Sequence, residues 1–310
     1  MKELYRMSER AVLIAGPTAS GKSSLALFEA DRVKRAGLCP IIVNADSMQV
    51  YRELRIISAR PSLDDEAQVK HVLYGFVSSK EVFNTGRWLD EMGELLAGLA
   101  EDELPIIVGG TGLYFKALLE GFARIPDIAD EVRAGLRALF LEENAEKMHQ
   151  RLAAVDPQMA DSLKPTDAQR ILRALEVYEA TGKSILHWQQ EAQASPLLSA
   201  KDCRKIIALP ERDVLYERIN ARFDAMVDEG ALEEVAALAK LQLDWDLPAM
   251  KAIGVPQFMA HLEGTMPLED AILDAKQESR RYAKRQMTWL RNQMGEDWQR
   301  IDVDDENKRN

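Results

Sequence analysis

The stretch GPTASGKS, Gly16 to Ser23, satisfies the pattern G-x-x-x-x-G-K-[ST]. That spacing binds phosphate. Glycines let backbone N–H groups of Gly16, Thr18, Ala19, Ser20 and Gly21 converge on phosphate oxygens, Lys22 adds a point charge, and the Ser23 hydroxyl can ligate Mg2+. The motif alone leaves open whether the phosphate is a nucleotide's transferable group or part of a leaving group. A second candidate, Asp46, follows the apolar run IIVNA. A carboxylate there suits a Mg2+ ligand, a general base or a cap on the following turn, and spacing does not separate the three. In VGGTGLYFKALLEG, Val108 to Gly121, the glycines permit close backbone approach and Thr111 offers a hydroxyl. Arg218 and Arg222 stand four residues apart, on one helical face, with the choice between a solvated face and a phosphate clamp open.

These residues need elements to hold them. The run Ala11 to Ala15 enters the glycine loop, and after it Leu25, Phe28 and Val33 lie near one helical face, giving strand, loop and helix. Further apolar runs, Ile41 to Ala45 and Leu104 to Val108, end at Asp46 and at Thr111. Buried parallel strands read as continuous Val/Ile runs, and ligands gather beyond their carboxyl ends, so the loop, Asp46 and Thr111 should share one crevice. From about Phe122 to Ser199 strand signals vanish. DEVRAGLRALF there presents Val132, Leu136, Leu139 and Phe140 on one face, and Thr166 with Gln169 has capping-box spacing for a helix ending before Gly182. Strand character resumes at KIIALP, Lys205 to Pro210, before a long helix from about Val214.

The 310 residues carry a net charge of −11, so contact with nucleic acid would need a local basic patch. One exists: Lys276 to Arg291 holds six basic residues against the single acid Glu278, with Tyr282 and Trp289 interleaved. Basic and aromatic residues together suit a phosphate backbone and its bases; an amphipathic helix with a solvated basic side is the equal alternative. Two cysteines without C-x-x-C spacing imply neither a disulfide framework nor a zinc site, and fit a reducing cytoplasm. The N-terminal apolar run is too short for a signal peptide, no segment is long enough to span a bilayer, and only the tail DVDDENKRN reads as unstructured.

Taken together, GPTASGKS, NADSMQVYREL, SARP, VGGTGLYFKALLEG, DEVR, DAQRILRALEVYEATGKS, ERINARFDAMVDEGALEEV and YAKRQMTWLR resemble the tRNA dimethylallyltransferase (tRNA isopentenyltransferase) family, in the family's order and over most of the chain. The resemblance implies transfer of a dimethylallyl group from dimethylallyl diphosphate to N6 of the adenosine at tRNA position 37, 3′ of the anticodon. It implies an α/β fold with a P-loop NTPase-like parallel sheet core, residues 1–121 and 203–310, flanked by helices and carrying an all-helical insertion for tRNA, residues 122–202. Asp46 then matches the general base and Thr111 the threonine beside the reacting centre, while the glycine loop, Lys22, Ser23 with Mg2+, and Arg222 receive the departing diphosphate. The adenosine must be flipped from the anticodon loop. RNA contacts fall to Asp46, Ser47, Met48, Gln49, Thr111, Arg133, Gln169, Arg170, Arg173, Lys284, Arg285, Gln286, Trp289 and Arg291. A cytoplasmic monomer acting on the anticodon stem-loop, without membrane contact, is the expected form.

Three departures from the family pattern stand out. Ser23 replaces a threonine, ISARP (with Ser58 and Arg60) replaces IGTAKP, and AIGVPQ has Val255 and Pro256 where a tyrosine and a basic residue are common. Competing readings are a small-molecule P-loop kinase, an adenylate isopentenyltransferase acting on a free nucleotide, and a non-enzymatic RNA-binding module. The helical insertion and basic helix favour a large RNA over the first two, and an intact Lys22, Ser23 and Asp46 speak against the third.

Overall fold

The computed structural model describes residues 9–192 and 196–302; the tail beyond Asp302 and the segment before Glu9 lie outside them. The strands are β1 (Ala11–Ala15), β2 (Cys39–Asn44), β3 (Lys70–Val72), β4 (Glu103–Gly109), β5 (Cys203–Ala208) and β6 (Gln299–Ile301). The helices are α1 (Lys22–Arg35), α2 (Leu63–Gln68), α3 (Thr85–Ala97), α4 (Gly112–Glu120), α5 (Asp130–Glu142), α6 (Ala145–Val155), α7 (Pro157–Asp161), α8 (Ala168–Thr181), α9 (Ile185–Ala192), α10 (Arg212–Asp228), α11 (Ala231–Ala239), α12 (Val255–Leu262) and α13 (Leu268–Gln293).

The strands form one six-stranded sheet in the order β3-β2-β4-β1-β5-β6, with every pairing parallel. β1 is buried along its whole length and sits between β4 and β5, with Ile14 opposite both Val108 and Ile206. Only a strand flanked on both edges and covered on both faces can be apolar throughout, which is why AVLIA has no polar alternation. Leu25, Ala26, Ala30 and Val33 of α1 pack on Val12, Ile14, Ile106 and Val108, so one face of the sheet is sealed directly behind the glycine loop. Parallel strands all release their following loops at the same end, and residues 16–21, 45–49 and 110–111 are thereby gathered.

Strands β3 and β6 carry no signal in the apolar pattern, because each is a three-residue edge strand held by its register alone, Ile41 opposite Lys70 and Ile207 opposite Arg300.

The chain separates into two compact units, one built from residues up to Lys116 with those from Leu198 onward, the other from Ala117 to Leu197. The division falls a few residues earlier at each end than the expected 122–202. The cause is at its edges: the second half of α4 belongs to the helical unit, where the Leu197 N–H donates to the Leu118 carbonyl at 3.0 Å. Within that unit α5, α6, α7, α8 and α9 surround a core of Leu136, Met148, Leu152, Ile171, Leu175, Val177 and Ile185. Val132, Leu139 and Phe140 border it, the stripe expected of α5. Helix α8 is capped by Asp167, whose carboxylate accepts the Arg170 N–H at 3.4 Å, and not by Thr166. The cause is charge: a carboxylate at the positive helix end outcompetes the neighbouring hydroxyl, and the helix starts one residue later. Gly182 ends it in the left-handed conformation.

Candidate active site

The glycine loop leaves the buried end of β1 and turns into α1 through two left-handed residues, Ala19 (φ 61°) and Gly21 (φ 83°). A non-glycine residue held there costs about 1–2 kcal/mol, so the surrounding structure must impose it, and loops of this shape turn successive N–H groups into one concavity. Three N–H groups of the loop are already spent: Gly16 donates to the Gly109 carbonyl, Ser20 to the Pro17 carbonyl, and Thr18 to Oε1 of Gln286 at 2.9 Å. The Ser20 side chain is fully buried beneath the loop beside Gly16. Of the residues expected to bind phosphate, Ala19, Gly21, Lys22 and Ser23 therefore keep N–H groups for it. Those opening α1 have no intrahelical acceptor.

Lys22 donates through Nζ to the Pro17 carbonyl at 3.2 Å, which draws it back across the loop. Burial pulls its pKa down to about 8, partly opposed by the Asp46 charge and reinforced by Arg222. Arg222, from α10, donates to Oγ1 of Thr18, and burial lowers its pKa as well, against the pull of Asp46. Two desolvated cations sharing one carboxylate make a site short of negative charge, the condition under which a diphosphate binds.

Asp46 follows β2. Its Oδ1 accepts the Met48 N–H at 2.9 Å, and its N–H is held by Oδ1 of Asn44 at 2.8 Å. The turn-capping reading is therefore seen in one oxygen. Oδ2 takes no hydrogen bond among the described residues and lies on the side of Gly110, 3.4 Å from where a Cβ would stand there. Thr111 joins this turn to the next loop: its Oγ1 accepts the Ser47 N–H at 3.0 Å and donates to Ser47 Oγ at 3.4 Å. Behind both, Trp88 of α3 donates to the Asn44 carbonyl at 2.8 Å and stacks on Tyr114 at 4.4 Å. The phenols of Tyr74, Tyr114 and Tyr282 are raised first by burial and then by the Asp46 charge, so all three stay protonated around the carboxylate.

Gln49 is not turned outward. Its Nε2 donates to the carbonyls of Ser58 at 3.0 Å and Ala59 at 2.8 Å, which holds the ISARP segment. Glu234 on α11 completes that hold, accepting N–H groups from Arg55, Ile56 and Ile57 at 2.8–2.9 Å. Arg60 in that segment lies against Gly75 and is partly desolvated, which lowers its pKa. Val255 is fully buried, so that half of the departure from the family pattern lies in the interior, while Pro256 in the first turn of α12 is exposed.

On α13 the basic stretch divides in two. Lys276 pairs with Asp224, Arg280 with Asn220 and Arg281 with Glu278. Lys284, Arg285 and Arg291 stay exposed, without an acidic partner among the described residues. Gln286 differs from them: it is 6% exposed, and both ends of its amide are taken by this protein's own backbone, at Thr18 and Gly110. Trp289 lies against Gly112. In the helical unit Arg133, Arg170 and Arg173 stand on the surface beside Asp130, Asp167 and Glu176, and Gln169 is exposed in the first turn of α8. Tyr114 and Glu234 fall inside quoted motifs and Trp88 outside them, but the roles of all three escape the sequence, since each acts on a partner far away along the chain.

The protein oxygen that a metal would find here is the Ser23 hydroxyl in the first turn of α1. No cluster of three or more His, Cys, Asp or Glu able to cage an ion exists among the described residues. That donor set fits Mg2+ arriving with diphosphate oxygens, since Mg2+ binds through one or two protein ligands plus substrate phosphates and water.

A family model described as IPP transferase matches residues 49–293. A tRNA dimethylallyltransferase of Agrobacterium fabrum is 52% identical over 292 residues, 94% of this chain and 96% of that protein. Its counterpart in Bartonella henselae is 50% identical over 286 residues, 92% and 96% of the two chains. Among solved structures, the tRNA isopentenylpyrophosphate transferase of Bacillus halodurans superposes with a TM-score of 0.66 at 32% identity, covering 97% of this chain and 94% of that one. A eukaryotic dimethylallyltransferase captured acting on tRNA gives a TM-score of 0.76 at 26% identity over 91% of this chain and 70% of that one.

Proposed function

This chain belongs to the IPP transferase family, and from that premise we infer that it is a tRNA dimethylallyltransferase, carrying a dimethylallyl group from dimethylallyl diphosphate to N6 of adenosine 37. The observation that supports the reading best is the free Oδ2 of Asp46, set beside the Gly110–Thr111 loop with Lys22 of the phosphate loop and Arg222 of α10 within electrostatic reach. An adenine amine is a weak nucleophile because its lone pair is delocalised. Attack of N6 on the allylic carbon, with cleavage of that carbon's bond to the diphosphate oxygen, is assisted when Oδ2 takes the N6 proton. The charge that collects on the departing diphosphate is met by N–H groups of Ala19, Gly21, Lys22 and Ser23, by Lys22 Nζ and by Arg222. Ser23 would hold Mg2+, which when bound neutralises diphosphate charge. Thr111 positions the turn that carries Asp46.

Exposed Lys284, Arg285 and Arg291, with Arg133, Gln169, Arg170 and Arg173, are suited to RNA phosphates and loop bases. Both cysteines are free, and burial pushes the Cys203 thiol up to about 11, consistent with an inert thiol in the reducing cytoplasm. No helix among the described residues is long and apolar enough to cross a membrane. The working form we propose is a monomer. The test is incubation with Mg2+, labelled dimethylallyl diphosphate and unmodified tRNA bearing adenosine 37, with AMP in parallel. Label in tRNA alone is expected; label in AMP alone, or in neither, overturns the reading.

A further inference from the structure

Three residues of α13 at helical spacing, Tyr282, Gln286 and Trp289, turn inward and each meets a part of the site, and the exposed Gln293 continues the row. Tyr282 lies within the electrostatic reach of Asp46. Gln286 accepts the Thr18 N–H through Oε1 at 2.9 Å and donates through Nε2 to the Gly110 carbonyl at 2.9 Å. Trp289 sits so close to Gly112 that a Cβ there would come within 2.1 Å of the indole. Gln293 accepts from Lys116 at 3.1 Å.

Gln286 is the centre of this stripe. A backbone N–H can only donate and a carbonyl can only accept, so its two partners dictate the orientation of the amide. Gly110 leaves the space: a Cβ at that position would stand 2.3 Å from Nε2. One buried side chain therefore spans the loop that would cradle the diphosphate and the loop that carries Thr111.

We propose that Gln286 is a positioning residue, not an RNA contact: its amide sets the separation between the phosphate loop and the Gly110–Thr111 loop, and so the alignment of leaving group, allylic carbon and adenine amine. The inference rests on the prenyl-transfer reading above. An in-line displacement depends on that alignment, and misplacement by about 1 Å costs on the order of a hundredfold in rate.

The test is steady-state kinetics with dimethylallyl diphosphate and tRNA varied separately, alongside thermal melts. Gln286→Met keeps the volume and removes both hydrogen bonds; kcat should fall roughly tenfold to a hundredfold, with KM for the diphosphate raised and KM for tRNA unchanged. Gly110→Ala, where the backbone accepts alanine, should displace the same amide and give the same pattern, and it carries the test alone if Gln286→Met does not fold. In the double variant the losses should fall short of the product of the single losses, because both act on one contact. A raised KM for tRNA with wild-type kcat, a lowered melting temperature with both constants unchanged, or fully multiplicative losses would each overturn the proposal while leaving the prenyl-transfer reading intact. Wild-type protein that transfers no prenyl group would overturn both.

Discussion

The two units keep positive charge in opposite ways. In the α/β unit Lys22 and Arg222 are withdrawn from water, with their pKa values pulled down by burial and only Asp46 as counter-charge. In the helical unit Arg133, Arg170 and Arg173 keep 41%, 72% and 44% of their side chains exposed, and each has an acidic neighbour three residues away along the chain. Desolvated cations without matching anions destabilise the folded chain until a ligand supplies the charge. Exposed pairs are nearly neutral in stability, so exchanging a carboxylate for an RNA phosphate costs little. The first arrangement suits chemistry, and the second suits a surface that must bind and let go.

That contrast can be broken experimentally. The largest effect is expected at Asp46→Ala, which removes the base and should lower kcat by about 10²–10⁴ while tRNA binding persists. Equal loss of binding would move Asp46 from chemistry to recognition. Lys22→Met should lower kcat/KM by on the order of 10²–10³ and yet raise the melting temperature, because a buried charge is exchanged for an apolar chain. A lowered melting temperature would show that Lys22 is already compensated in the free protein.

The same lysine predicts a pH dependence. Its pKa is about 8 in the folded protein against 10.5 when exposed, so between those values the unfolded chain binds more protons. Its contribution to stability therefore rises as pH climbs from about 8 to 10.5, while affinity for dimethylallyl diphosphate falls over the same window as the ammonium is lost. Melts and diphosphate titrations from neutral to alkaline pH should move in opposite directions; parallel movement contradicts the assignment. The smallest effect is expected at Arg170→Ala: weaker tRNA binding, a salt slope reduced by about one, and stability within about 0.5 kcal/mol of wild type. A large stability loss would mean that the helical unit relies on its surface pairs.

How far the sequence could be read follows from the range of each interaction. The glycine loop, Asp46 and Thr111 are legible because strand, turn and function lie within a few consecutive residues. The apolar runs of β1, β2, β4 and β5 are legible because central parallel strands are buried on both faces. Gln286 reads as part of a basic stretch, and only its hydrogen bonds to Thr18 and Gly110 separate it from Lys284 and Arg285. Glu234 likewise passes for one more acid on a helix, because its acceptors are N–H groups at residues 55–57. Edge strands β3 and β6 are too short to show a period, and the first turn of α8 offers two cap candidates in succession, Thr166 and Asp167.

The order of the sheet also bears on synthesis. The phosphate loop is made before its partners: β1 pairs with β5, and Thr18 waits for Arg222 and Gln286. The helical unit is contiguous from Ala117 to Leu197 and can close on itself while those partners are still untranslated. A nascent chain halted before α13 should therefore protect the amides of α5 to α8 from exchange while its phosphate loop remains unlatched. Diphosphate binding would then be acquired only once α13 has been made.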